Sequence, residues 1–313
     1  MTTWRILPAS LLMALLLAAC GGGGNADAPV VSGPGTTPTP PAQEPSAPAL
    51  TGDNARDGYN WINYRRSLLG LSVLTRNSRI DVAAQGHSVY QRVNNTITHD
   101  QTRGLPGFTG VTLLDRLTAA NYTLTGTYAF GEVISATSNN SGFYQVEELI
   151  TAIYHRFVIF EPVFREVGTG ASATNSGYNY FTADFAVTGG YSGLGGGRFI
   201  VYPANNQAGV PTNFFSDTES PDPVPGQNEV GYPISVHADI DNNVTVQNFT
   251  VAPRGGTALN VRLLSNANDS VTSRSAAAIV PLAPLRAATT YDVSFSGTVG
   301  GVGVTRSWSF STK

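Results

Sequence analysis

The chain of 313 residues has one cysteine, Cys20. A single thiol cannot close an internal disulfide, so stability must come from core burial. No basic run occurs anywhere and the net charge is −3. The phosphate-neutralising surface that nucleic-acid binding needs is missing, which excludes a nucleic-acid partner. Long apolar runs are missing too. Leu11 to Ala18, after Arg5, is too short to span a bilayer but suits a secretory signal. Histidine is scarce, with four in the whole chain. Three of them, His87, His99 and His155, fall within fewer than seventy residues, and Gly131-Glu132 sits between the last two. Imidazole is the side chain best suited to titrate or bind a cation near neutral pH. That clustering nominates residues 77–168 as the functional core.

The signal ends in Leu17-Ala18-Ala19-Cys20, which resembles the lipobox of bacterial lipoproteins. The resemblance implies that residues 1–20 are a lipoprotein signal and that Cys20 is acylated, holding the chain to a membrane without a spanning helix. Gly21 follows Cys20, where Gram-negative lipoproteins retained at the inner membrane usually carry aspartate. The outer membrane is therefore the expected destination. Residues 21–52, rich in Gly, Pro, Thr and Ala, bury too little apolar surface to order. They read as a tether of roughly 90 Å at full stretch.

Helical periodicity begins at residue 53. Ala55, Tyr59, Ile62 and Leu69 share a stripe and Gly70 stands where a helix C-terminal glycine belongs. Ser78-Arg79-Ile80-Asp81 fits a capping box for a second helix carrying Ile80, Ala83, Ala84 and His87 on one face. A third helix is predicted over Thr112–Ala120, and a fourth over Tyr144–Tyr154 with Val146, Leu149, Ile150 and Ile153 inward. Strands are predicted over Tyr128–Ser135, Phe164–Ala171, Tyr178–Val187 and Arg198–Tyr202. Helices mixed with strands joined by short Gly/Ser/Asn turns give an α+β unit with an antiparallel sheet over residues 53–203. Residues 204–230 lack periodicity and read as a linker. Residues 231–313 alternate as strands only, giving a small all-β sandwich. Its PLRAATTYDVSFSG stretch resembles immunoglobulin-like or fibronectin type III-like modules, with Tyr291 placed as a tyrosine-corner residue.

Along residues 53–203 the chain reads NSRIDVAAQGHSVYQRVNNTITHD, FTGVTLLDRLTAANY, FGEVI, YHRFVIFEPVFREVGTG and YFTADF. That order and spacing resemble the bacterial branch of the CAP superfamily (cysteine-rich secretory protein, antigen 5 and pathogenesis-related type, also called SCP-like). The resemblance implies an α-β-α sandwich. It also implies a cleft of two histidines and two acidic residues that in some members binds a divalent cation. His99 of ITHD, Glu132 of GEVI and His155 of YHR match three of the four. The second acid has no match, since Thr151 and Ala152 stand where it would fall, and Val133 replaces the family asparagine.

Two imidazoles and a carboxylate can hold Zn²⁺ or another divalent cation with one position open. They can equally form a hydrogen-bonded cluster that binds nothing. Glu132 is the candidate catalytic base if the site is an enzyme. Tyr128, Tyr154 and His87 are candidate cleft-lining residues, with Tyr122 and Tyr144 flanking them, although His87 also reads as a core histidine on the apolar face of its helix. His237 reads as a surface or strand-face residue. Gly86-His87-Ser88-Val89-Tyr90 lacks the closing glycine of a nucleophile elbow and places Ser88 mid-helix. With no evident nucleophile, the chain reads first as a lipid-anchored binding protein for a small apolar or glycan-like ligand, a lipid, cell-wall fragment or protein. A cation-dependent hydrolase and a structural or adhesion protein of the envelope are the alternatives.

Overall fold

The computed structural model describes Glu44 and residues 46–313, with the backbone of Ala18 and Ala19. Cys20 and most of the expected tether lie outside the described residues. In chain order the first unit comprises β1 (Ala18–Ala19), α1 (Asn54–Leu68), β2 (Thr75–Arg76), α2 (Ser78–Asn94), α3 (Leu113–Ala119), β3 (Ala129–Thr137), α4 (Gly142–Thr151), α5 (Ile153–Ile159), β4 (Glu166–Ala173) and β5 (Asn179–Val187). Its sheet runs β1-β3-β5-β4-β2, with the three long strands antiparallel.

Side chains alternate across this sheet and so sort the helices into two layers. On one face Gly168 and Gly170 let α2 lie directly on β4. A Cβ at Gly168 would meet Ile80 and Asp81 at 2.2 Å, and one at Gly170 would meet Gln85 at 2.3 Å. The other face carries Val133, Phe181 and Phe185 under α1, α4 and α5, with Phe181 against Gly58 and Val158 against Gly131. The result is an α-β-α sandwich, as expected.

Local chemistry explains the helix ends. Asp53 caps α1 by accepting from Arg56 N, and Gly70 takes the left-handed conformation just beyond it (φ +70°). Asn77, and not Ser78, caps α2 by accepting from Arg79 N, and Asp81 accepts from Arg76 instead of closing a box. Thr112 and Asp115 form a reciprocal capping box on α3. The single helix expected over Tyr144–Tyr154 breaks at Ala152 (ψ 119°) into α4 and α5. Described residues just before α1 are bonded to it. Glu44 accepts from Arg65 Nη1 and Nη2 at 2.7 Å each and from Tyr64 Oη at 3.1 Å, and Asp57 accepts from Thr51 and Gly52.

The second unit comprises β6 (Ile200–Tyr202), β7 (Gln207–Val210), β8 (Asn213–Phe215), β9 (Glu229–Gly231), β10 (Ile234–His237), β11 (Val244–Pro253), β12 (Val261–Ser265), β13 (Ala276–Pro281), β14 (Thr290–Val299) and β15 (Val302–Thr312). Two four-stranded sheets, β12-β13-β10-β6 and β11-β14-β15-β7, face each other across Ile234, Val236, Phe249, Val251, Phe295 and Trp308. Ile200–Tyr202, expected to close the first unit, instead pairs with β10. The stretch 204–230, expected as a linker, contains β7 and the β8–β9 hairpin. These strands are three or four residues long, too short to show a period.

The units share one hydrophobic core running from Trp61 on α1 to Phe310 on β15. α5 is the element inserted between them. Arg156 lies between the rings of Tyr202 and Tyr232, 4.8 and 4.9 Å from their centroids, and donates to Pro233 O and Ser235 Oγ. His237 is not a surface residue. It is buried with its ring edge-on to Phe157 and Phe160, and its Nε2 bonds Ser235 Oγ.

Candidate functional site

The site lies on the α2/α3 face of the sheet. β3 presents Glu132 between Phe130 and Ile134, and its register partner on β5 is Asp184. The turn after α2 brings His99 over Glu132, and α3 brings Arg116. Gly110 permits that approach, since a Cβ there would meet Arg116 N at 2.7 Å. Glu132 Oε1 accepts from His99 Nδ1 at 2.8 Å, and Oε2 accepts from Arg116 Nη2 at 2.6 Å. Arg116 also donates to His99 O at 2.8 Å, so one guanidinium fixes both the carboxylate and the loop above it.

The charges follow from this geometry. Burial opposes ionisation of Glu132, but the Arg116 guanidinium and the hydrogen bond from His99 outweigh it and hold its carboxyl well below the usual range. An ionised Glu132 can only accept, so His99 carries its proton on Nδ1. Asp184 is fully buried, and burial followed by the neighbouring Glu132 charge pushes its carboxyl well above the ordinary value. Two adjacent buried carboxyls cannot both ionise; Asp184 keeps its proton and Glu132 holds the charge.

His87 belongs to the support of this cluster. Its Nε2 donates to Thr98 O at 2.7 Å and its Nδ1 accepts from Gln101 Nε2 at 2.9 Å. Burial pushes its pKa down to about 4. Both ring nitrogens of the neutral imidazole are used, 3.9 Å from Glu132. It is a core histidine.

The third member of the expected trio goes elsewhere. His155 opens α5 in the interface with the β-sandwich, where its Nδ1 bonds Glu219 Oε1 at 3.0 Å. The same carboxylate accepts from the backbone N–H groups of Ile153, Tyr154 and His155 at 2.8, 2.7 and 3.2 Å. Tyr154 is likewise no cleft wall, since its hydroxyl donates to Asp269 of the sandwich at 3.0 Å. Tyr122 donates to Glu166 at 2.6 Å, and Tyr128 packs with Phe130 beneath α3. Tyr144 is exposed on α4.

A divalent cation, which the family resemblance implies, does not fit these residues. Both oxygens of Glu132 are committed to His99 and Arg116, both nitrogens of His87 are bonded, and His155 is held by Glu219. Among the described residues no group of three His, Cys, Asp or Glu side chains is arranged to hold a metal. The cluster can orient His99, its one partly exposed side chain, and it can hold a proton on Asp184.

Sequence reasoning missed Arg116, Asp184, Gln101 and Glu219. Asp184 had a signal: a carboxylate in the middle of the largely apolar stretch Tyr180–Val187 must be buried and therefore protonated or paired. Glu219 had none, since it stands in a Pro/Gly-rich stretch.

Residues 59–185 match the family described as CAP, the cysteine-rich secretory protein family, and this segment is a CAP domain. Similar solved structures include an extracellular SCP-domain protein of Bacillus anthracis (25% identity, 42% of this chain and 39% of that one, TM-score 0.36). An outer surface protein of Borrelia burgdorferi shows 17% identity over 43% of this chain and 92% of its own, with a TM-score of 0.36. A cysteine-rich secretory protein of Staphylococcus aureus shows 18% identity over 42% and 38%, with a TM-score of 0.30. The match thus spans well under half of the Bacillus and Staphylococcus chains. Among curated proteins none matches.

Proposed function

We propose that this is an exported, lipid-anchored binding protein whose CAP domain takes a small apolar or glycan-like ligand on the surface around His99. The observation that carries the reading is the saturation of the cluster. Glu132 is spent on Arg116 and His99, and His87 on Gln101 and Thr98, and what they produce is an oriented, partly exposed His99. Such an arrangement suits recognition, because a polar side chain already fixed in one orientation loses little freedom when a ligand meets it. Export rests on the N-terminal signal, anchoring on Cys20 in its lipobox, and the outer membrane on Gly21. Among the described residues no helix is long and apolar enough to cross a membrane.

The β-sandwich is read as an immunoglobulin-like module. Its order β6-β10-β13-β12 and β7-β15-β14-β11 reproduces the A-B-E-D and G-F-C pairing of that fold, with β7 as an extra strand parallel to β15. Tyr291 near the start of β14 accepts from Arg286 N at 2.7 Å, the bond of a tyrosine corner.

The test is a thermal-shift and native mass-spectrometry screen of the folded protein against lipids and cell-wall glycan fragments, repeated with His99→Ala. A ligand that stabilises the wild type and not the variant supports the reading. Ligands that bind both equally, or none at all, would remove it.

A further inference from the structure

The contact between the β8–β9 hairpin and α5 carries an inference that stands on geometry alone, apart from any ligand. α5 begins at Ile153 after an N-cap residue, Ala152, that makes no side-chain capping bond. The bonds that the first turn of a helix needs are supplied by Glu219, which follows the short 3₁₀ turn Ser216–Thr218 of the second unit. Glu219 and His155 are both buried, at 2% exposure each. The hairpin is fixed against α5 by its own apolar contacts, with Phe214, Val224 and Val230 packed on Ile153, Tyr154 and Phe157.

We propose that Glu219 is a positioning residue for His155, supplied to the CAP domain by the β-sandwich. Its Oε1 already accepts from two backbone N–H groups, so the imidazole must donate through Nδ1. The ring is held in one tautomer with its lone pair on Nε2. That Nε2 is buried and bonds no other group among the described residues, so the dyad holds an acceptor inside the molecule at the junction of the two units. The sandwich therefore completes the CAP domain instead of merely following it. A carboxylate 64 positions beyond His155 in the chain both starts α5 and sets its histidine.

The experiment uses the full chain labelled with ¹⁵N, reading the His155 tautomer from two-bond imidazole correlations and the amides of residues 153–155 by hydrogen exchange. The wild type is expected to show the Nδ1–H tautomer and three protected amides. In Glu219→Ala the tautomer preference is lost and exchange at all three accelerates by roughly 10- to 100-fold, while β3, β4 and β5 are unchanged. Glu219→Gln keeps an oxygen at the Oε1 position and places an NH₂ where Oε2 accepted from Ile153. It is expected to keep the tautomer and the Tyr154 and His155 amides and to lose protection at Ile153 alone. Unchanged tautomer and protection in a folded Glu219→Ala overturns the proposal. If that variant does not fold, a folded Glu219→Gln with the Nε2–H tautomer overturns it equally.

Discussion

Replacing Asp184 by asparagine should stabilise this protein at neutral pH, although it alters a fully buried residue in the central strand of the sheet. The reason lies in the pairing with Glu132. Asp184 is neutral in the folded state because burial and the adjacent Glu132 charge raise its pKa well above the ordinary 3.8. In the unfolded chain it ionises normally. A group whose folded pKa is raised contributes stability that is fully present below the unfolded value and is lost as pH rises toward the folded one. Within that window the wild type loses about 1.4 kcal/mol for each pH unit through this residue. Asparagine cannot ionise and has nearly the same shape as the protonated acid. Urea denaturation of both proteins from pH 4 to pH 8 should therefore give similar stabilities near pH 4 and curves that diverge as pH rises, with the variant above. The contributions of titrating groups that do not neighbour Asp184 cancel in the difference, and Glu132 stays ionised across this range in both proteins because its carboxyl is held well below the usual range. A variant destabilised by the same amount at all pH values, with the wild-type slope unchanged, would refute the assignment of the proton to Asp184.

Arg116→Met fills similar volume but removes the counter-charge of a buried carboxylate. It is expected to cost about 3–5 kcal/mol in urea denaturation at pH 7, and a loss below 1 kcal/mol would show that Glu132 does not depend on it. Glu161, at the junction of the units, accepts from Val163 N and Ile240 N while burial pushes its pKa up from 4.5 to about 8. Its raised value has the same sign as that of Asp184. Glu161→Gln should flatten the fall in stability between about pH 4.5 and about pH 8, and parallel curves would contradict this.

How far the chain could be read before its structure depended on where the bonds go. α1, α2 and α3 were legible because their apolar stripes lie within a few residues, although the cap of α2 falls on Asn77 and not on Ser78. β3, β4 and β5 were legible from apolar runs bounded by turns. The break at Ala152 was not, since the carboxylate that takes the first N–H groups of α5, Glu219, is remote in sequence, and local propensity saw one continuous helix from Tyr144 to Tyr154. Ile200–Tyr202 was given to the wrong unit for a related reason: a three-residue strand has no pattern of its own and is defined by its partner β10. At the site, His99 and Glu132 were found from family order and do meet. His155 was found in the same way and does not join them, because matching a motif gives the position of a residue and not the partner its ring selects. Arg116 sat unremarked in LLDRLTAANY, where a helical arginine ordinarily reads as a solvated side chain.

His99, Glu132 and His155 form either one cation centre or two separate hydrogen-bonded dyads, His99–Glu132 and His155–Glu219. Calorimetric melting at pH 7.5 with and without Zn²⁺ decides it. A cation bound to the native state alone would add roughly 2.7 kcal/mol at a hundredfold excess over Kd, and the gain would shrink at pH 5.5 as the imidazoles protonate. With Glu132 spent on His99 and Arg116, and His155 on Glu219, the expected result is no Zn²⁺-dependent shift at either pH. A stabilisation by Zn²⁺ at pH 7.5 that disappears in both His99→Ala and His155→Ala would contradict it.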